Sequence, residues 1–442
     1  MKRAALHNLG CKVNAYETES MTQNLMKAGY DIVDFKDEAD VYIINTCTVT
    51  NIADRKSRQM LHKAKKKNPN AIVVAAGCYA QATGEELLKD KGVDIVIGNN
   101  RKGELVSILH DYMESGNILE AEEKGFTDIS KERDFEETSL DTVTDHTRAV
   151  IKIQDGCNQF CSYCIIPYAR GRVRSRNFDN IIEEITEIAK QGFKEVVLTG
   201  IHLSSYGIEQ KEGGKTLLDV ILAVSRIDGI KRIRLGSLEP RIITEEFVET
   251  LSKIEVFCPH FHLSLQSGCN ETLRRMNRRY TAEEYEEKCN LIRKYFPDAA
   301  ITTDVIVGFP GETEEEFLES KTFVERIHFF EMHVFKYSRR KGTKADVMEN
   351  QIADTEKSKR SDELLELDKK LSKQYRSRFD GREKTVLFEE VIEVNGETYF
   401  VGHTMEYVKV AVQSEEDLSN RLEKVKISGL LTDEIMLAIL EK

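Results

Sequence analysis

Residues 156–164 read GCNQFCSYC, and they place Cys157, Cys161 and Cys164 in the spacing C-x3-C-x2-C. Three thiols cannot all pair as disulfides, because one is always left over. Three cysteine thiolates can instead hold three corners of a cubane iron–sulfur cluster. The fourth iron would then lack a protein ligand and be free to bind a small molecule. A structural zinc site normally takes four ligands, and no neighbouring Cys or His pair completes one. The spacing therefore favours a cluster over zinc or unrelated thiols.

A second set of three cysteines is dispersed along the first eighty residues. Cys11, Cys47 and Cys78 each follow an apolar run, in the contexts LGCKVN, NTCTVT and GCYAQ. In a parallel α/β sheet, residues just past the carboxyl ends of adjacent strands converge on one crevice. Gly10 and Gly77 stand directly before two of these cysteines and allow close backbone approach. The pattern favours a second cluster site with its own open iron, and the alternative is three buried structural cysteines.

The other three cysteines, Cys258, Cys269 and Cys289, follow no such pattern and are interpreted as ordinary thiols. Nine cysteines in a reducing compartment indicate metal ligands or catalytic thiols, not a disulfide framework. The chain shows no run of about 18 apolar residues and no apolar segment behind its basic start, MKRAALHNLG. We therefore expect a cytoplasmic protein without a membrane span or signal peptide.

Size and composition indicate a multidomain globular chain. At 442 residues, two to four domains are expected. Hydrophobic residues make up 40% and charged residues 32%, which excludes wholesale disorder. The net charge of −12 means that any nucleic-acid contact must use local basic patches.

Residues 1–114 alternate apolar strand candidates with amphipathic helix patterns, which predicts a parallel sheet covered by helices. The strands are expected at Arg3–His7, Val41–Asn45, Ala71–Ala75 and Asp94–Ile97. The helices are expected at Asn14–Ala28, Asn51–Lys67, Gly84–Lys89 and Gly103–Met113. Residues 115–145 are polar and acidic, and they are interpreted as a linker or excursion between domains.

From Arg148 the alternation resumes through six strand–helix units, which predicts a partial (β/α)6 barrel. Its strands are expected at Ala149–Ile153, Glu195–Thr199, Arg232–Leu235, Phe261–Leu265, Ile301–Val307 and Glu331–Phe335. A charged helix over residues 353–380 follows and is placed to bridge two domains. The short alternating strands after Gly381 fit a small β-barrel of the oligonucleotide-binding style.

Glycine-bearing polar loops follow several strands of this predicted barrel. They read LTGIHLSSYG, LGSLEP, LSLQSG and VIVGFPGE, and they include His202, Pro240 and Pro310. Barrel-like folds gather their functional groups at the carboxyl ends of the strands. The loops therefore predict a cofactor pocket at that end, beside the first cysteine set.

With both cysteine sets in view, the chain resembles the methylthiotransferase branch of the radical S-adenosylmethionine (SAM) superfamily over nearly its whole length. The resemblance implies a methylthiotransferase domain at 1–114, a linker at 115–145, a radical SAM core at 146–373 and a TRAM domain at 374–442. It also implies two [4Fe-4S] clusters, an auxiliary one on Cys11, Cys47 and Cys78 and a SAM-binding one on Cys157, Cys161 and Cys164. SAM contacts are expected from Tyr163, Gly200, Ser237, Glu239, Gln266, Val307 and Gly308.

Within that branch, LGCKVNAYET, NTCTVTNIADRKSRQ and AAGCYAQ are similar to the enzymes that act on threonylcarbamoyl-adenosine in tRNA. The resemblance implies that one SAM methylates sulfur at the auxiliary cluster. A second SAM is cleaved to a radical that removes hydrogen from C2 of the modified adenine next to the anticodon, at tRNA position 37, where the methylthio group is then attached. It also implies an electron donor such as flavodoxin or ferredoxin. The alternatives are isopentenyl-adenosine in tRNA, ribosomal protein S12, or a non-enzymatic iron–sulfur or zinc RNA-binding protein.

Local basic clusters are the candidate RNA contacts, because phosphate contacts supply most sequence-independent affinity. Arg170, Arg172 and Arg174 alternate directly after the SAM cysteines and are predicted to contact RNA. The alternative is a solvated charged face. Residues 382–442 carry seven basic and thirteen acidic side chains, so the predicted C-terminal barrel is an unusual RNA clamp.

Overall fold

The computed structural model describes residues 2–115, 127–141, 147–210 and 213–441. Among these residues, no helix is both long enough and apolar enough to cross a membrane. Three bodies follow one another along the chain: a parallel α/β sheet, a partial barrel in two sheet segments and a closed five-stranded barrel. The fold class expected from the sequence is confirmed.

The N-terminal sheet has the strand order β2-β1-β3-β4-β5, and every pairing in it is parallel. Separate apolar clusters cover its two faces, one around Tyr42 and Val73 and the other around Ile43 and Val74. Its strands are β1 Arg3–Asn8, β2 Asp31–Ile32, β3 Val41–Thr46, β4 Ile72–Gly77 and β5 Ile95–Ile97. Its helices are α1 Lys12–Lys27, α2 Asn51–Lys67, α3 Cys78–Leu87 and α4 Leu105–Ser115.

Helix α3 is where the sequence prediction was wrong about an element boundary. The sequence predicted a helix starting at Gly84, but the helix starts at Cys78, directly after β4. Gly77 has a φ of 92°, a left-handed conformation that suits glycine and turns the strand at once into the helix. Thr83 is non-helical inside α3, so Gly84 follows a kink instead of starting the helix.

The described part of the predicted linker, residues 127–141, packs between the first two bodies. The hydroxyl of Tyr16 on α1 donates to the carbonyl of Thr138 at 2.6 Å. The amide of Leu140 donates to Glu184 of the second body at 2.6 Å. Residues 116–126 and 142–146 of the predicted linker lie outside the described residues.

The partial barrel consists of a four-stranded segment, β7-β6-β8-β9, and a three-stranded segment, β10-β11-β12. Isolated parallel bridges, including Leu238 to Leu263, connect the two segments. Its strands are β6 Arg148–Asp155, β7 Arg174–Ser175, β8 Glu195–Gly200, β9 Arg232–Leu235, β10 His260–His262, β11 Ala300–Val307 and β12 Glu331–Lys336. Its helices are α5 Ile166–Arg170, α6 Phe178–Lys190, α7 Leu217–Val224, α8 Glu245–Ser252, α9 Asn270–Arg275, α10 Ala282–Tyr295 and α11 Glu314–Ile327.

Side chains alternate across these strands, as a period of two requires. One set, including Val196, Ile233 and Phe261, joins the large apolar cluster shared with the surrounding helices. The other set faces the interior of the partial barrel and is largely polar. Its members include Lys152, Thr199, Arg234, His262, Asp304 and His333.

Helix α12, Asp354–Ser377, joins the partial barrel to the C-terminal one. Leu364 and Leu371 belong to the apolar core of the partial barrel, whereas Tyr375 belongs to the core of the closed barrel. The helix predicted to bridge two domains therefore does so. The closed barrel has strands β13 Glu383–Val394, β14 Glu397–His403, β15 Lys409–Val412, β16 Leu422–Leu430 and β17 Met436–Leu440.

The closed barrel docks on the amino-terminal ends of the partial-barrel strands. The guanidinium of Arg232 donates to the carbonyls of His403 and Thr385, at 2.7 Å each. Tyr407 stacks on His260 with ring centroids 4.2 Å apart, and Arg234 lies 4.9 Å from the same tyrosine ring. These contacts close one end of the barrel interior and leave the carboxyl end to the loops that follow the strands.

Candidate functional site

The first cysteine set lies in the loop between β6 and α5, and backbone contacts fix the loop closely. Gly156 has a φ of 70°, and a Cβ there would lie 1.8 Å from the carbonyl oxygen of Arg172. The amide of Cys157 donates to the carbonyl of Gly171 at 3.1 Å, and the amide of Cys164 donates to that of Cys161 at 3.0 Å. The loop is therefore shaped by its own sequence before any metal binds.

Arg278, which follows α9, reaches this cysteine loop from across the barrel. Its guanidinium donates to the sulfur of Cys161 at 3.3 Å. Burial raises the pKa of Cys157 to about 11 and that of Cys164 to about 12, and the charge of Arg278 partly opposes both shifts. Thiols held this way stay protonated at neutral pH until a metal displaces the protons.

The second cysteine set lies where three neighbouring strands end. Cys47 directly follows β3, Cys78 directly follows β4, and Cys11 caps α1 three residues beyond β1. A Cβ on Gly10 would lie 2.9 Å from both the Cβ and the sulfur of Cys47. Only glycine permits that approach, which supports the predicted reason for Gly10. Burial raises the pKa of Cys47 to about 11, and the charges of the other two thiols add to the effect.

The spacing of the sulfur atoms bears on what each set can hold. A single tetrahedral zinc ion with Zn–S bonds of about 2.3 Å brings its sulfurs to roughly 3.8 Å from one another. Among the described residues, neither cysteine set has all its sulfur atoms within 4.8 Å of one another. Neither set is therefore drawn together as closely as a single tetrahedral zinc ion requires. The donor set, three cysteines on each side, is that of an iron–sulfur cluster.

Arg170 joins the two cysteine sites. It ends α5, six residues after Cys164, and its Nε donates to the sulfur of Cys78 at 3.1 Å. The same guanidinium pairs with Glu17 of α1 at 2.8 Å and with Asp155 of β6 at 3.1 Å. The second cysteine set therefore contacts the short helix that directly follows the first set.

Arg170 belongs to a wholly buried ionic network at this junction. Lys152 bridges Glu17 and Asp155 at 2.7 and 2.6 Å, and Lys102 also pairs with Glu17. Burial alone would raise the pKa of Glu17, but the charges of Arg170, Lys102 and Lys152 hold it well below its ordinary value. The members, all at most 4% exposed, are Glu17, Lys102, Lys152, Asp155, Arg170 and Arg174.

The ion pairs of the network join four cations to two carboxylates, and a third carboxylate, that of Glu136, lies near Lys152 and Lys102. With all three carboxylates ionised, the group carries one surplus positive charge beside Cys78. A buried surplus is costly unless an anion compensates it. Three thiolates holding a metal cluster would supply such an anion at this place. The residues present therefore fit the implied auxiliary cluster in charge as well as in donor type.

The prediction that Arg170 and Arg174 contact RNA is corrected by their burial. They are 0% and 1% exposed, and the guanidinium of Arg170 is already paired with Glu17 and Asp155. Of the four arginines at 170, 172, 174 and 176, three are buried, namely Arg170, Arg174 and Arg176. Arg172 is exposed and lies 4.6 Å from the ring of Phe160, so it remains a predicted RNA contact.

The residues predicted to contact SAM lie past the carboxyl ends of five strands. Tyr163 packs edge-on against Phe309, and Gly200 ends β8 against the side chain of Gln154, where a Cβ would not fit. The amide of Glu239 is held by Ser204 at 2.8 Å. The remaining members are exposed Ser237 after β9, buried Gln266 after β10, and Val307 and Gly308 at the end of β11.

A cavity of about 340 Å³ opens beside the first cysteine loop. It is lined by Asn158 and Gln159 from that loop, by His202 and Ser204 after β8, and by Glu239 after β9. Of the predicted SAM contacts, this cavity includes Glu239. Tyr163, Gly200, Ser237, Gln266, Val307 and Gly308 do not line it.

His202 is a neutral group in this cavity. Its Nδ1 lies 2.6 Å from the hydroxyl of Ser205, and its Nε2 has no hydrogen-bond partner among the described residues. Burial lowers the pKa of His202 to about 4, and the charges of Arg278 and Arg241 lower it further. An uncharged imidazole with one free nitrogen can bond to a polar group that enters the cavity.

We expect the His202→Gln variant to lose less stability in acid than the wild type does. A histidine whose pKa is lowered by folding contributes stability above its unfolded pKa of about 6.5, and this is lost as pH falls towards 4. Between pH 7.5 and pH 5 the wild type should lose up to about 2 kcal/mol more than the variant. Denaturant unfolding at both pH values measures this difference, and parallel losses would contradict the assignment.

Sequence reasoning missed two parts of this site. Arg278 lies in the basic run RRMNRR at 274–279. The sequence shows that this run is positively charged but does not indicate which group Arg278 contacts. Glu17, Lys102 and Asp155 carried no signal at all, because the ion pairs join residues as far as 153 positions apart. Topology alone brings them together.

Comparisons with known proteins agree with this arrangement. Residues 3–98 match Uncharacterized protein family UPF0004, and residues 151–324 match the Radical SAM superfamily. The two matched segments contain the two cysteine sets, one each. The core of the chain therefore belongs to the class of radical SAM proteins.

Curated relatives refine that class over nearly the whole chain. The chain is 43% identical to Threonylcarbamoyladenosine tRNA methylthiotransferase MtaB of Bacillus subtilis (strain 168), with 97% of this chain and 94% of that protein covered. It is 44% identical to the protein of the same name in Aquifex aeolicus, over 89% and 93%. It is 35% identical to tRNA-2-methylthio-N(6)-dimethylallyladenosine synthase of Clostridium botulinum (strain Loch Maree / Type A3), over 95% and 92%. The chain belongs to the radical SAM methylthiotransferase family.

Among solved structures, the fold is similar to that of the radical SAM methyltransferase TsrM from Kitasatospora setae, with cobalamin and a [4Fe-4S] cluster bound. The TM-score is 0.56 at 17% identity, with 78% of this chain and 77% of that chain covered. At this identity the likeness supports the fold only. As a radical SAM methylthiotransferase, the chain uses SAM and two [4Fe-4S] clusters.

Proposed function

We propose that this enzyme attaches a methylthio group to C2 of N6-threonylcarbamoyladenosine next to the anticodon of tRNA, at position 37. The observation that carries the proposal is the junction between the two cysteine sites, in which Arg170, at the end of the helix that follows the first set, contacts the sulfur of Cys78 in the second. A sulfur-inserting enzyme needs a radical source and a sulfur source that act on the same carbon. We take the substrate from the names of two relatives, the threonylcarbamoyladenosine tRNA methylthiotransferases that are 43% and 44% identical to this chain.

In this proposal each cysteine set is the protein's part of one cluster. Cys157, Cys161 and Cys164 hold the cluster that binds SAM, and Cys11, Cys47 and Cys78 hold the auxiliary one. Bound there, SAM and the clusters supply a carbon radical, a methyl group and sulfur. Arg278 places a positive charge against Cys161, and the buried network places the charge of Arg170 against Cys78.

The loops after the strands form the proposed SAM pocket. Tyr163 offers an aromatic edge supported by Phe309, and Gly200 leaves room where a Cβ would collide with Gln154. Gly308 has a φ of 69° and lies against the stem of Lys357, which closes that side of the pocket. Ser237, Glu239, Gln266 and Val307 complete the proposed set. These residues orient SAM and exclude water from the reacting carbon.

The proposal also covers the two partners of the enzyme and its location in the cell. Arg172, exposed beside the first cysteine loop, contacts the tRNA backbone. The electron that starts SAM cleavage comes from a small donor such as flavodoxin or ferredoxin. The reaction takes place in the cytoplasm, where tRNA is modified.

The test is activity of the anaerobically reconstituted enzyme on two anticodon stem-loop RNAs, one with threonylcarbamoyladenosine and one with isopentenyladenosine. We expect the methylthio nucleoside to form on the first RNA only, as measured by mass spectrometry of the digested RNA. Product on the isopentenyladenosine RNA alone would instead assign the enzyme to the subfamily that acts on isopentenyladenosine in tRNA. Product on neither RNA, with methylthiolation of ribosomal protein S12, would overturn the proposal.

A strain without the protein provides the matched measurement in cells. Its tRNA should lack the methylthio form and retain threonylcarbamoyladenosine without the methylthio group. A plasmid copy should restore the product, and a Cys47→Ala copy should not. An unchanged nucleoside profile in the deletion strain would contradict the assignment.

A further inference from the structure

Three potential metal ligands face one another inside the partial barrel, and none of them belongs to either cysteine set. His262, Asp304 and His333 each offer one ligand atom, and these atoms lie within 4.8 Å of one another. The side chains come from β10, β11 and β12, three adjacent parallel strands. The described part of the chain contains no other group of three His, Cys, Asp or Glu that meets this spacing.

Strand register explains why the three groups meet. His262 lies beside Thr302 on β11, and Asp304, two residues further on, lies directly beside His333 on β12. Residues two apart on one strand share a face, so all three side chains point to the same side of the sheet. Phe261 and Val305, on the other face, pack into the apolar core. The three ligands therefore project into the barrel interior.

The orientation of His262 resembles that of a ligand held in place before the metal arrives. Its Nδ1 is hydrogen-bonded to the hydroxyl of Thr302 at 3.0 Å, and its Nε2 faces the carboxylate of Asp304 at 3.3 Å. Metal-binding histidines usually bond their second ring nitrogen in this way, which sets the tautomer and the ring angle. His333 stacks against the His262 ring with centroids 5.6 Å apart.

The charge of Lys12, the residue after Cys11, acts on His333, but not through an ion pair with Asp304. Among the described residues, no Lys or Arg forms an ion pair with Asp304, whose ion pair is with His262. The closed barrel seals the interior below, where Tyr407 stacks on His260. His333 is exposed, so the group can be reached from solvent.

We propose that His262, Asp304 and His333 form a mononuclear site for a divalent transition metal such as Zn²⁺ or Fe²⁺. Two imidazoles and one carboxylate match the preferences of these ions, whereas Mg²⁺ and Ca²⁺ take oxygen ligands. Three protein ligands leave coordination positions open towards the interior for water or an oxygen-bearing group. The site is distinct from both cysteine sets in its residues, its strands and its ligand chemistry.

The test is zinc binding by the tag-free enzyme with both clusters reconstituted, measured by equilibrium dialysis and metal analysis. We expect one zinc per chain beyond the cluster iron, and an X-ray absorption spectrum with nitrogen and oxygen ligands at about 2.0–2.2 Å instead of sulfur at about 2.3 Å. Asp304→Asn and His262→Gln should each weaken binding at least tenfold. Thr302→Val should weaken it about 10–100-fold by releasing the His262 ring.

His110→Gln is the matched control, because it removes an exposed imidazole of α4 that belongs to no such group. It should bind zinc as the wild type does. Unchanged iron content and circular dichroism in Asp304→Asn would show that its loss of zinc is not unfolding. The absence of saturable zinc in the wild type, sulfur ligation, or wild-type affinity in Asp304→Asn would overturn the proposal. None of these measurements uses methylthio transfer, so their outcome is independent of the proposed function.

Discussion

Replacing Cys161 by alanine should abolish SAM cleavage, whereas replacing Cys47 should spare SAM cleavage and stop methylthio transfer. Each substitution removes one thiolate from a different cluster site, and neither set has a spare thiol to replace it. In the wild type, about eight irons per chain are expected from two four-iron clusters, and each variant should keep about four. Iron analysis, 5′-deoxyadenosine release after reduction and RNA product are measured on the same preparation.

Cys289→Ala is the control for this pair. Cys289 is fully buried inside helix α10 and belongs to neither set, and alanine is the best helix former at that position. It should retain about eight irons and both activities. Loss of SAM cleavage in the Cys47 variant while it remains folded would show that the two sites do not divide the reaction as we propose.

Much of the architecture could be predicted from the sequence, because periodicity and strand-end chemistry are local signals. Six of the seven strands of the partial barrel were found to within one or two residues at most ends, the two-residue β7 being missed, and the order of the three bodies was correct. The predicted helix at Gly84 was wrong because Gly77 and Thr83 act through backbone angles that composition does not reveal. The two-residue strand β2, Asp31–Ile32, is too short to show a period.

The functional site was predictable only where its residues share a motif or a strand end. The six cysteines met that condition. The partners that orient and balance them did not, since Arg170, Glu17 and Asp155 lie on separate elements of two bodies. The arginine alternation was visible in the sequence, but only burial distinguishes Arg170, which is wholly enclosed, from exposed Arg172.

Because Arg170 is buried and Arg172 is exposed, we expect Arg170→Met to destabilise the junction between the two bodies and to disturb the auxiliary site. Methionine retains much of the volume but removes the ion pairs of Arg170 with Glu17 and Asp155. Lys102, Lys152 and Arg174 still pair with these carboxylates, so the cost should fall below the about 3–5 kcal/mol of an uncompensated buried charge. The substitution also removes the donor that lies 3.1 Å from the sulfur of Cys78. We expect a lower unfolding temperature and iron content that falls from about eight towards about four.

Arg172→Met tests whether this effect comes from burial or from loss of any arginine in the segment. The two positions are two residues apart and lose the same charge, but Arg172 is exposed and contacts the Phe160 ring instead of a carboxylate. An exposed charge contributes about 0–1 kcal/mol, so stability and iron content should stay at wild-type values, while tRNA affinity falls. Equal losses of iron in both variants would mean that the segment acts as a charged surface. A selective loss in Arg170→Met would instead show that the two bodies share one buried electrostatic junction, on which the second cysteine set depends.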